Sequence, residues 1–108
     1  MEAWHLQSPR LVRGLQLETG WLRFYRDGSL RELMLYRPQN LLGVPCFGGG
    51  LAGTEIRFHP SGTLAQFVLA APHVVAGVAY PRGTRIHITE PGRVSKHRAV
   101  KLGAADPG

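Results

Sequence analysis

Apolar residues recur two apart at three places along the chain: Leu22 and Phe24 around Arg23, Ile56 and Phe58 around Arg57, and Ile86 and Ile88 around His87. That alternation describes a β-strand with one buried face. Each pair is followed by turn chemistry that closes on a glycine: Asp27-Gly28, Pro60-Ser61-Gly62 and Pro91-Gly92. Proline presets the second turn position and glycine accepts positive φ at the last, which suits a type I turn followed by a bulge. Strands are therefore predicted over residues 22–26, 56–59 and 85–89, with structural turns at Gly28, Gly62 and Gly92.

The three segments align without gaps: Leu22–Leu30 with Ile56–Leu64 and with Ile86–Val94, their starts 34 and 30 residues apart. Downstream the register continues, because Pro38 and Pro72 each lie ten residues after the turn glycine, and Gly43 and Gly77 each lie fifteen after it. Gly14-Leu15-Gln16-Leu17, Gly43-Val44-Pro45-Cys46 and Gly77-Val78-Ala79-Tyr80 are three versions of one further element. Self-similarity at a fixed period is the mark of a repeat architecture. The fold expected is all-β: about three tandem β-hairpin repeats of period 30–34 forming an extended or solenoid-like antiparallel sheet. Helix is poorly supported throughout, since the best window, residues 30–36, is enclosed between Asp27-Gly28 and Pro38.

On the return strands, Leu30-Arg31-Glu32-Leu33-Met34-Leu35 and Leu64-Ala65-Gln66-Phe67-Val68-Leu69, strict alternation fails. Simple alternation puts Leu30 and Met34 on one face and Leu33 and Leu35 on the other. Either both faces are covered, as in a sandwich, barrel or solenoid, or a bulge after the turn changes the phase. Residues 1–10 read as an N-terminal extension, 11–102 as one β-repeat domain and 103–108 as a flexible tail. Phe47-Gly48-Gly49-Gly50-Leu51 supplies the extra length of the longer unit and reads as a mobile loop.

The segment Phe24-Tyr25-Arg26-Asp27-Gly28-Ser29-Leu30 resembles the aromatic-x-x-Gly-x-Leu hairpin of MORN-type repeats and related bacterial antitoxin-like repeat proteins, a similarity spanning roughly residues 11 to 95. The resemblance implies successive hairpins in an elongated sheet. The roles it implies are protein binding, membrane-surface docking or toxin neutralisation.

The formal charge of +6 comes from thirteen Lys and Arg, eleven of them Arg, against seven Asp and Glu. That bias suits anionic partners and also keeps a small protein soluble. Cys46 is the lone cysteine, so an intramolecular disulfide or a Cys-based zinc site is excluded, and it reads as a small buried hydrophobe. No stretch approaches the roughly 18 apolar residues of a membrane span, and the N-terminus lacks a continuous apolar signal segment. A cytoplasmic location is the expectation.

His59, His73 and His87 are fourteen residues apart, without the close spacing of a zinc-helix motif. Glu55 and Glu90 read as edge and turn acids, while Ser29, Ser61 and Thr63 read as turn formers. No catalytic residue, metal site or cofactor is assigned. One constellation depends on the repeat: if equivalent strands stack in register, Arg23, Arg57 and His87 fall in one outward row flanked by Tyr25, His59 and Thr89. Arginine forks could hold phosphate or carboxylate there, with Tyr25 available for stacking and Glu32 or Glu55 as neutralising acids. Lys96, His97, Arg98 and Lys101 place charge on a terminal strand, where it discourages edge-to-edge aggregation. The leading expectation is a non-enzymatic module with a protein partner, the alternatives being an anion or nucleic-acid binder and a small enzyme with an unrecognised site. Oligomerisation by edge-strand pairing is a further option.

Overall fold

The computed structural model describes residues 3–8, 10–12, 15–17, 20–48 and 54–100. Among these the chain forms strands and no helix: β1 (Ala3–Leu6), β2 (Arg10–Val12), β3 (Leu15–Leu17), β4 (Gly20–Phe24), β5 (Leu30–Leu35), β6 (Gln39–Leu41), β7 (Val44–Cys46), β8 (Ile56–Phe58), β9 (Leu64–Val68), β10 (His73–Val75), β11 (Val78–Tyr80), β12 (Thr84–Ile88) and β13 (Val94–Ala99). Seven strands make one sheet in the order β1-β4-β5-β8-β9-β12-β13, and β2-β3, β6-β7 and β10-β11 form three separate two-stranded ribbons. Every pairing is antiparallel. No helix among the described residues is long and apolar enough to cross a membrane.

The phase problem on the return strands is resolved by bulges. Arg23 pairs with Glu32 but Phe24 with Leu30, Arg57 with Gln66 but Phe58 with Leu64, and His87 with Lys96 but Ile88 with Val94. Arg31, Ala65 and Ser95 are the extra residues. Each resets the alternation by one position, so that Leu30, Leu33 and Leu35 all reach the buried face while Met34 sits opposite Trp21 on the other.

The long hairpins end earlier than the alternation predicts. Tyr25, His59 and Thr89 are not strand residues but the first residues of the turns: each accepts from the glycine three positions on and donates to the carbonyl four positions on, Ser29, Thr63 and Arg93 respectively. Gly28, Gly62 and Gly92 hold φ of 89°, 98° and 97°. In the first turn Asp27 Oδ1 accepts from both the Ser29 amide at 2.9 Å and its hydroxyl at 2.6 Å. A Cβ on Gly62 would touch nothing within 4 Å, so its cost is purely torsional. Gly62→Val is expected to lower the unfolding free energy by about 1–2 kcal/mol. Thr63→Val, beside the same turn, should be near neutral; equal melting temperatures for the two variants would contradict this geometry.

The ribbons fold over one face of the sheet and close the core. Leu17, Leu41, Cys46 and Val75 from the ribbons pack in one cluster with Leu6, Leu22, Leu33, Leu35, Ile56, Phe58, Phe67 and Ile86 from the sheet. The thickness of 20 Å fits two β-layers, since stacked sheets lie about 10 Å apart with side chains on both sides. Two ribbons turn on a non-glycine residue and a glycine that both have positive φ, Leu42-Gly43 and Ala76-Gly77, the signature of a type I′ hairpin turn. Cys46 is fully buried, and that burial pushes its thiol up to about 12, which leaves almost no thiolate at neutral pH.

Two regions differ from the sequence reading. The first ten residues are not simply an extension: β1 joins the main sheet, with Ala3 opposite Arg23 and Leu6 opposite Gly20, and Leu6 is buried. The start of the glycine-rich stretch is anchored rather than mobile. Phe47 N–H donates to Val68 O at 2.7 Å, Ala70 N–H donates to Pro45 O at 2.8 Å, and Gly48 is buried. Gly49 to Leu51 and the expected tail at 103–108 lie outside the described residues.

Candidate functional site

Antiparallel register carries one row of residues across the sheet: Arg23, Glu32, Arg57, Gln66, His87 and Lys96 stand successively opposite one another on β4, β5, β8, β9, β12 and β13. Arg23, Arg57 and His87 thus occupy the same row, but on alternate strands. Between the two arginines stands Glu32, whose Oε2 lies 3.1 Å from Arg57 Nε and whose Oε1 lies 3.7 Å from Arg23 Nε. One carboxylate is shared by two guanidiniums, and it is the more protected group, with 18 % of its side chain exposed against 62 % and 57 %. Exposed pairs of this kind add little stability. Their consequence is chemical, because both guanidiniums already face an internal carboxylate.

Tyr25 and His59 do not flank that row as a stacking edge. Lying beyond the strand ends, they reach sideways to the next long hairpin: Tyr25 Oη donates to Phe58 O at 2.6 Å, and His59 Nε2 donates to Ile88 O at 2.7 Å. A carbonyl only accepts, so His59 Nε2 carries the proton. Arg31 Cζ stands 5.8 Å from the centre of the Tyr25 ring. Thr89, at the matching point of the last hairpin, bonds within its own turn instead, its Oγ1 lying 3.3 Å from Arg93 O and 3.2 Å from Arg93 N. These two side chains are hairpin clasps. The signal was their place directly after the last alternating apolar residue, where the strand pattern no longer dictates their direction.

At the β1 end of the same sheet face lies a cluster that the sequence reading did not single out. His5 stacks on Trp21 with ring centres 4.5 Å apart, and Tyr36 Oη bonds His5 Nε2 at 2.9 Å. Trp21 is 45 % exposed and Tyr36 41 %. Trp21 also lines a surface cavity with Arg23, Glu32, Met34 and Glu55. The alternation around Leu22 already places Trp21 on the outward face, and an outward tryptophan on a strand was the available clue.

The opposite end of this face is cationic. Arg85 stands directly across from Arg98, and His87 from Lys96. Burial, then the positive charges of Lys96, Arg85 and Arg57, hold the His87 imidazole below its ordinary pKa. Ser61 and Thr63 hydroxyls bond each other across their turn at 3.2 Å. Among the described residues no three His, Cys, Asp or Glu side chains gather where a metal ion could sit.

Comparison with protein-family models, curated proteins and solved structures finds no match to this chain. The outward sheet face thus has two chemically distinct ends, one aromatic and one cationic.

Proposed function

We propose that the chain is a non-enzymatic interaction module of three tandem hairpin units that binds a protein partner through the outward sheet face around Trp21. The observation that carries it is the exposed Trp21–His5–Tyr36 cluster beside Arg23 and Met34. Tryptophan, tyrosine and arginine supply most binding hot spots, because large rigid rings bury much area at small entropic cost and keep a polar handle. Here Trp21 and Arg23 stand on β4 and Tyr36 directly follows β5, so the packed sheet holds them before any partner arrives. The unit reading is supported by the shared turn hydrogen bonds and by the bulge at the same offset after each turn glycine.

The test is affinity capture from extracts of the source organism, followed by titration of each captured protein against purified variants. Trp21→Ala and Tyr36→Ala should each weaken a true partner by about tenfold or more. Val74→Ser with Val78→Ser is the control, since it removes two exposed apolar residues from the β10-β11 ribbon. Partners that bind the parent, the Trp21 variant and the control alike would defeat the assignment.

A further inference from the structure

The two edges of the main sheet differ in chemistry. Among the described residues, β1 and β13 are the strands of that sheet paired on one side only. β13 has the character of a terminal strand: Lys96 and Arg98 stand on its outward side, and the positions five and seven residues after its turn glycine are the exposed His97 and Ala99. At those two positions the interior hairpins place Leu33 and Leu35, and Phe67 and Leu69, all buried. Edge cations and an inner face with little to bury discourage further pairing, as the end of a repeat array requires.

β1 follows the interior pattern instead. Counted back from the ribbon glycines Gly14, Gly43 and Gly77, Trp4 and Leu6 occupy the places of Leu33 and Leu35 and of Phe67 and Leu69. The pairing agrees, since Trp4 stands opposite Leu22 as Leu33 stands opposite Ile56 and Phe67 opposite Ile86. Leu6 is buried like its counterparts. Ala3-Trp4-His5-Leu6 contains no charged residue and no proline, and its four rungs with β4 run without a bulge, so the usual guards of an edge strand are missing. At the same repeat position, β5 and β9 are paired on both sides.

We infer that the free side of β1 pairs with β1 of a second copy, antiparallel across a two-fold axis normal to the sheet. A strand edge presents a row of backbone N–H and C=O groups, and another strand is what pairs them in series. A second copy fits because antiparallel pairing of a strand with itself is isologous and closes at two chains. Its sequence fits as well: Trp4-His5-Leu6 repeats the apolar-polar-apolar order of Leu22-Arg23-Phe24, Ile56-Arg57-Phe58 and Ile86-His87-Ile88, which belong to the strands that pair with β1, β5 and β9. The seam sets no charged residue of β1 against its copy, whereas β13 paired with itself would confront Lys96 and Arg98 with their own like. Once joined, the outward faces lie on the same side and the two Trp21 residues stand three strand spacings apart, about 14 Å. The His5, Trp21 and Tyr36 clusters of the two chains then form one continuous surface. The pairing stands independently of what that surface binds.

Sedimentation equilibrium of the full chain should show a reversible, concentration-dependent passage from 11.9 kDa to twice that mass. A seam of 4 residues from each chain falls below the roughly 1,200 Å² of stable interfaces, so half-association is expected at about 10–100 μM. In an equimolar mixture of differently isotope-labelled chains, filtered nuclear magnetic resonance spectra should join β1 to β1 and show no contact between chains at β13. His5→Glu places like charges across the seam and should weaken association about threefold to tenfold. His97→Glu adds the same charge to the opposite edge and should leave association unchanged. A chain that stays at 11.9 kDa up to about 500 μM, well above the range expected for so small a seam, would overturn the inference. So would association of His5→Glu at the parent's strength, equal losses in the two variants, or spectra that join the chains through β13.

Discussion

Gly48→Ala is expected to lower the unfolding free energy by about 2–3 kcal/mol, through overpacking against atoms that cannot move aside. A Cβ at this position would collide with the Arg37 carbonyl, approach the Arg37 carbonyl carbon to 2.6 Å and stand 2.8 Å from Leu35 Cβ. The first two are backbone, at the corner where β5 gives way to β6, and Leu35 is itself buried in the core. Relief would require moving the strand end, and with it the core. If Gly48 belonged instead to a mobile glycine loop, the same substitution would be neutral or would stabilise by about 0.4–1 kcal/mol through the unfolded chain. The two readings differ in sign, so a chemical denaturation curve decides between them. Gly43→Ala is the internal comparison: its φ is +81° and its added Cβ would meet nothing within 4 Å, so only the left-handed backbone opposes it, at about 1 kcal/mol.

That stretch shows where composition misleads. Three successive glycines at 48–50 read as a loop because glycine is the default for irregular backbone. The residue is also selected where another backbone passes too close for a Cβ, and sequence alone does not separate the two. The turn glycines were legible, because each follows an alternating apolar pair and proline or aspartate specifies the turn. Leu30, Leu33 and Leu35 were legible as apolar but not as sharing one face, because a single extra residue, Arg31, inverts the parity of everything after it.

The outward row was only half legible. Alternation places Arg23, Arg57 and His87 on the outward side, but which residue stands between two of them depends on strand order and register. That pairing brings Glu32 to both arginines and turns a candidate anion site into an internal ion-pair bridge. The cationic hairpin and the Trp21 cluster were hidden for the same reason. Arg85 and Arg98 are thirteen residues apart, and His5 and Trp21 sixteen, and both pairs meet across antiparallel rungs.

Tyr25→Phe combined with His59→Phe is expected to cost about 2–3 kcal/mol, with each single variant near 1 kcal/mol. Pairing between the long hairpins is sparse: β5 and β8 share the pairs Glu32–Arg57 and Leu33–Ile56, and β9 and β12 share three more. The two clasps span these same junctions, from Tyr25 to Phe58 O and from His59 to Ile88 O. Each replacement keeps an aromatic ring and removes the polar hydrogen, so that lost packing is not the main term. Because Phe58 and His59 are adjacent, loosening one clasp displaces the base of the other. The double variant should therefore exceed the sum of the singles by about 0.5 kcal/mol or more, as neighbouring sites couple. Thr89→Val supplies the contrast, for Thr89 Oγ1 bonds only within its own turn, and it should disturb the β12-β13 turn without loosening a junction. Native-state hydrogen exchange reads the difference directly. Amides at the β5-β8 and β9-β12 boundaries should lose protection in the clasp variants and keep it in Thr89→Val; unchanged protection at both boundaries would mean that the sheet ladder and core alone hold the hairpins together.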